Sequence, residues 1–162
     1  MRELVKVPDP RLRMLCSPVK SIDSLVRSLA FELKHYVLAS KGKAVGMSAP
    51  QLGEMLNVFV IETPALSLVL INPRTIKSAG LHMQVEGCLS LPSRYFLVSR
   101  PKLLKLNYLG LDRQWHALKL HDHYAGIAWH EMNHLLGKTI DVEGQEMYAD
   151  KLFGSRAAVP ST

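Results

Sequence analysis

Cysteine is scarce in this chain, with only Cys16 and Cys88 among 162 residues. Two thiols build no disulfide framework. They fit a reducing compartment, where a thiol is free to bind metal. No apolar run approaches the ~20 residues of a membrane span. The opening stretch Met1-Arg2-Glu3-Leu4-Val5-Lys6 has no long apolar core or small-residue cleavage site, and Glu3 is of a type that transit peptides avoid. A cytoplasmic location is predicted, with no membrane association. Basic residues exceed acidic ones by 20 to 14, a balance that favours anionic partners. They are scattered, however, without the run that marks a nucleic-acid arm, and no specific nucleic acid is expected. Repeats and low-complexity tracts are absent too. Trp115 and Trp129 read as packing residues rather than as a platform for stacked bases, and His116, His121 and His123 as strand and loop residues rather than a metal cluster. What remains is an ordinary globular composition, 48% hydrophobic and 21% charged, long enough for one buried core.

Along the chain, Ile22, Leu25, Val26, Leu29, Leu33, Tyr36 and Val37 recur at three- and four-residue steps, which predicts an amphipathic helix over 22–39. Ser21 or Asp23 would cap its start, and Gly42 follows its end. The period then shortens. Strands are predicted over 57–62, 66–72, 74–86, 94–100, 103–108 and 114–121, with Pro64 and Pro73 ending the first two. A helical pattern returns over 122–137 and stops at Gly137. A last short helix is expected over 143–153. The whole reads as one α+β domain over 1–154, followed by a flexible tail over 155–162.

Within the second helix lies His130-Glu131-Met132-Asn133-His134. On a helix the two histidines share a face one turn apart, and both imidazoles can reach one metal ion, with Glu131 placed to handle a water proton. A buried helix face with three ionisable groups is costly unless they are paired or metal-bound. A catalytic site also needs a third ligand and an open position. The extended protease spacing puts Ile140 where a ligand should stand, with Asp141 one residue out of place. Glu143 and Glu146 lie downstream. Cys88 lies upstream, in Glu86-Gly87-Cys88-Leu89-Ser90-Leu91-Pro92, and taken alone it reads as a small buried hydrophobe. Residues 44–51, Ala-Val-Gly-Met-Ser-Ala-Pro-Gln, form either a plain tight loop with Gln51 solvated or a loop lying against a ligand, with Gln51 donating inward.

Taken in order, residues 44–51, 86–90 and 130–134 resemble the peptide deformylases, whose marks are G-x-G-x-A-A-P-Q, E-G-C-L-S and H-E-x-D-H. The likeness runs from about Pro8 to Gly144. It implies an α+β deformylase-like fold, with antiparallel sheets packed around a central helix that carries the H-E-x-x-H motif. It also implies removal of the N-formyl group from the N-terminal methionine of nascent polypeptides, releasing formate. One divalent metal ion would be held by Cys88, His130 and His134: Fe2+ foremost, with Zn2+, Ni2+ or Co2+ as substitutes. Metal-bound hydroxide would attack the formyl carbon. Glu131 would act as general base and acid, and Gln51 with the Leu89 backbone N–H as oxyanion donors. Gly46, Met47, Glu86, Gly87, Gly126 and Ile127 are the expected substrate-binding residues, with Glu86 paired to Arg100. N-formylmethionyl nascent peptides would be the partners, met in transient association with the ribosome. Four departures stand out: Ala44 for glycine, Ser48 for alanine, Asn133 for aspartate, and Gly126 with Trp129 before the metal motif. They bear on pocket shape and on metal retention. Two other readings stay open, an H-E-x-x-H metallopeptidase and a peptide-binding homologue without turnover.

Overall fold

Asp23 opens the first helix by accepting a hydrogen bond from the Val26 N–H, and α1 runs Ser24–Ala39 in the computed structural model, which describes residues 1–148. An Asp at this position satisfies a helix-end donor that burial would otherwise strand. The apolar stripe of α1 (Val26, Leu29, Leu33, Val37) is buried against Met47, Leu52, Val58, Val60 and Ile71.

Six antiparallel strands follow: β1 (Gly46–Ser48), β2 (Val58–Thr63), β3 (Leu66–Cys88), β4 (Leu91–Leu109), β5 (Trp115–His121) and β6 (Gln145–Met147). Their order in the sheet is β1-β2-β3-β4-β5, with β6 added to β4. Two predicted breaks are bends instead. β3 continues through Asn72 and Pro73 with a register shift between Ile71 and Arg74. Asn72 adopts φ 50° there, and its side chain both donates to and accepts from the Val19 backbone at 2.8 Å. This is a bulge, which absorbs the proline and turns the strand. β4 likewise runs through Pro101, which faces Leu81 on β3 and falls between the β6 and β5 pairings on its other edge. After Ile71, β3 has no partner on its β2 side among the described residues.

Helix α2 (Asp122–Leu135) starts directly from β5 and ends two residues before Gly137. Gly137 takes φ 70°, a region where glycine carries no Cβ penalty, and a side chain there would strike the Arg13 carbonyl. Ala125, Ile127, Ala128 and Leu135 bury one face of α2 against Phe59, Ile61, Leu70, Leu104, Leu106 and Leu120 of the sheet. The helix expected over 143–153 is not formed in its described part. A short α3 (Ile140–Glu143) comes first, and Gln145–Met147 then pairs with Leu97–Tyr95 as β6. Gly144 explains the switch, since a Cβ on it would meet Val98 and the Leu97 carbonyl, and only glycine lets the backbone approach the sheet that closely. The rest of that segment and the expected tail lie outside the described residues. No helix among the described residues is long and apolar enough to cross a membrane.

Candidate active site

The last residue of β3 and one face of α2 meet. Cys88 closes β3 just before the two-residue turn Leu89-Ser90, and His130 and His134 stand one helical turn apart. Cys88 Sγ lies 3.3 Å from His134 Nε2, and the two imidazole Nε2 atoms are 3.2 Å apart. All three donor atoms fall within 4.8 Å of one another. His134 is 1% exposed, and its Nδ1 has no partner. Burial, together with the charge of His130, holds His134 well below its ordinary pKa, so its ring stays neutral with a lone pair to give. A thiol and two imidazoles converging this closely fit one divalent cation, since zinc and other borderline metals take this kind of ligand set.

His130 is oriented from behind. Its Nδ1 lies 2.8 Å from Glu86 Oε2, which leaves Nε2 turned toward the thiol. Burial alone would push Glu86 up, but hydrogen bonds from His130 and Arg100 outweigh it and bring its pKa down to about 2. The expected Glu86–Arg100 pair is a two-point contact: Nε and Nη2 donate to the two carboxylate oxygens, both at 2.8 Å. Arg100 is 1% exposed and reaches a second acid, Glu143, at 3.4 Å. Asn133 Nδ2 donates to Glu143 Oε1 at 2.5 Å. An acid from α3 thus stands beside the asparagine that replaces the motif's aspartate. Glu143, a downstream ligand candidate in the sequence, is not among the three clustered donors.

Glu131 points to the other side of the cluster. It is 4% exposed, and its Oε2 is buried without a hydrogen-bond partner. Burial raises its pKa to about 7, against the opposing pull of His130 and Ser48. Its carboxylate lies over Gly46, where a Cβ would come within 2.7 Å of Oε1. Gln51 is pinned by its own loop: its Oε1 accepts from the Ser48 N–H and hydroxyl, both at 3.0 Å. The amide NH2 therefore faces Cys88 Sγ at 3.5 Å and Ser90 Oγ at 3.3 Å. The serine that departs from the family pattern is what anchors the glutamine.

A cavity of about 450 Å³ opens over these groups. Gly46, Gln51, Glu86, Gly87, Leu89 and Ile127 line it, together with Cys88, His130 and Glu131. Two expected substrate contacts are corrected. Met47 is fully buried in the core beneath α1, because strand alternation turns it to the face opposite Gly46. Gly126 is walled off by Gln84, whose amide occupies the space a Gly126 side chain would need. Gln84 and His123 do line the cavity, and the sequence reading missed both. Gln84 could have been found from strand period alone, since it lies two residues from Glu86 and shares its face.

The family described as Polypeptide deformylase matches residues 1–144. A peptide deformylase of Bartonella tribocorum is 34% identical over 146 residues, covering 85% of this chain and 81% of that protein. Among solved structures, the peptide deformylase of Thermotoga maritima aligns with TM-score 0.84 at 26% identity, over 90% of this chain and 98% of that one. That of Synechococcus elongatus, in complex with actinonin, aligns with TM-score 0.83 at 30% identity, over 89% and 80%. With a match spanning nearly its whole described length, the chain belongs to the polypeptide deformylase family and is an enzyme of that family.

Proposed function

We propose that this protein removes the formyl group from N-formylmethionyl peptides, releasing formate, with one divalent cation held by Cys88, His130 and His134. The observation that carries this reading is Glu131, a buried carboxylate with one unpartnered oxygen beside a three-donor set, on the wall of an open cavity. When bound, the cation supplies Lewis acidity, which makes water a nucleophile at neutral pH and polarises a carbonyl. Glu131 accepts the proton of the attacking water and returns it to the departing amine, so the C–N bond breaks to formate and a free N-terminus. The Gln51 NH2 and the Leu89 N–H meet the charge that develops on the formyl oxygen. One such donor contributes ~3–4 kcal/mol.

β1 is the edge strand of the sheet, and the Glu62 N–H bonds to the Val45 carbonyl. By alternation the N–H and C=O of Gly46 turn outward, where an extended peptide can add as a strand. Gly87, on the opposite wall, would flank the same peptide. The first side chain would lie against Ile127 and Val85. Nascent chains are the natural source of such a substrate, and they are met in the cytoplasm. Iron is the proposed metal, with zinc, nickel or cobalt able to replace it. A thiolate beside iron predicts loss of activity in air.

The test is formate release from formyl-Met-Ala-Ser. Purified protein is expected to release formate, and removal of its metal by a chelator to stop it. A Cys88→Ser variant is expected to lose bound metal and formate release together. A serine variant that kept its metal and cut internal peptide bonds would instead establish a metallopeptidase. An iron-loaded enzyme no faster than its zinc form under anaerobic conditions would overturn the choice of iron.

A further inference from the structure

Three polar side chains line one face of β3 and end at His130. His82, Gln84 and Glu86 alternate along the strand, so all three point toward α2. His82 Nε2 lies 3.0 Å from Gln84 Oε1, and Gln84 Nε2 donates to Glu86 Oε1 at 2.5 Å. Glu86 Oε2 then meets His130 Nδ1 at 2.8 Å. We infer that Gln84 is a positioning residue for His130, acting through Glu86, and that residue 126 is glycine because the Gln84 amide fills the space of its side chain. The metal-ligand role of His130 in this inference rests on the function proposed above.

The count of donors makes the point. A carboxylate offers about four lone-pair sites. Glu86 Oε1 receives Gln84 Nε2 and Arg100 Nε, while Oε2 receives Arg100 Nη2 and His130 Nδ1. Every site is used, so the carboxylate cannot tilt without breaking a bond. Because the Gln84 NH2 must donate to an acid, its carbonyl oxygen is left to accept, and His82 presents Nε2–H to it. His82 Nδ1 is buried and has no partner, so Nε2 is the ring nitrogen that engages Gln84. Deleting the Gln84 amide leaves one buried lone pair of Glu86 empty and loosens the carboxylate, which Arg100 and His130 then hold alone. His130 would then lose its fixed orientation, and groups that orient metal-binding imidazoles commonly change metal affinity 10–100-fold.

Gly126 supplies an independent handle. A methyl group on it would overlap Gln84 Nε2 and the rest of the amide head. Gly126→Ala therefore acts as a mutation of Gln84 made from the other side. The measurement is Co2+ affinity by competition with a chromophoric chelator, together with the thiolate-to-cobalt absorption band and the melting temperature of the metal-free protein. Gln84→Leu, which keeps the volume and loses both hydrogen bonds, is expected to weaken Co2+ binding at least ~10-fold while the metal-free melting temperature changes little. Gly126→Ala is expected to do the same. In a Gln84→Ala background, Gly126→Ala should cost nothing further, because the methyl enters vacated space. Wild-type Co2+ affinity in Gln84→Leu would overturn the inference and leave Gln84 as a mere cavity wall. An equal cost of Gly126→Ala with and without the Gln84 amide would overturn the account of the glycine. These are binding measurements. A wild-type protein that released no formate but showed them would fail the proposed function and leave the positioning role standing.

Discussion

Replacing Glu131 with Gln is expected to cut formate release by ~10²–10⁴-fold and, at the same time, to make the metal-free protein more stable above pH 7. Both results come from one environment. Burial raises the Glu131 pKa from 4.5 to about 7 despite the favourable charge of His130. Between those values the unfolded chain has released the proton and the folded chain still holds it. Folding therefore takes up a proton, and stability falls as pH rises from 4.5, levelling off above about 7. The loss amounts to about 3 kcal/mol. Gln has no proton to lose. The variant should match the wild type near pH 4 and exceed it at pH 8, as read from urea unfolding of chelator-treated samples. Loading a divalent cation should shrink the difference, because a positive charge beside Glu131 favours the carboxylate. Undiminished turnover in a variant with full metal content would remove Glu131 from the reaction. Equal stability of the two proteins at pH 8 would remove the desolvation argument. A carboxylate kept at a cost to stability is what a base poised near neutral pH requires.

What the sequence made legible, and what it did not, follows from how far apart the interacting residues lie. Two histidines at i and i+4 need only a helix to share a face, and H-E-x-x-H was readable for that reason. The meeting with Cys88 is not local, and only the ordered motifs made it an expectation. Asp23 as a helix cap and Gly137 as a stop are local devices and lie where the pattern put them. The prolines misled. Pro73 suggested a strand end and the pattern broke between 100 and 103, but a bulge and a gap between partner strands let β3 and β4 run on. Met47 was read into a loop and onto the wrong face, because a three-residue strand is too short to show a period of two. Gly126 was read as a substrate contact, but the Gln84 amide fills the space beside it, and nothing in a linear pattern ties residue 126 to residue 84. Glu143 was beyond reach in the same way. Its service to Asn133 and Arg100 depends on the turn at Leu136 and Gly137, after which the chain returns Glu143 to the side of Asn133.

Arg100→Met is expected to destabilise the protein by about 3–5 kcal/mol, the usual result of removing one partner from a buried ionic cluster. Arg100 is among the largest fully buried side chains and sits between two acids, Glu86 and Glu143. Methionine fills much of the volume, so the cost is mainly that of two carboxylates left without their cation rather than of a cavity. The pH dependence separates these causes. In the wild type, burial pushes Glu86 up, but His130 and Arg100 bring it down to about 2, below its unfolded value of 4.5. Glu86 thus adds stability that is fully present above pH 4.5 and is lost as pH falls toward 2. Without Arg100 the burial contribution gains the upper hand, and the Glu86 pKa rises. Acid should then relieve the variant, and its deficit relative to the wild type should narrow between pH 7 and pH 4. Adding Glu86→Gln to Arg100→Met should recover part of the loss at pH 7, since it removes one stranded charge. A deficit that stays constant across this pH range, with no recovery in the double variant, would show that Arg100 contributes packing alone. His130 would then owe its orientation to Glu86 held by Gln84 rather than by the guanidinium.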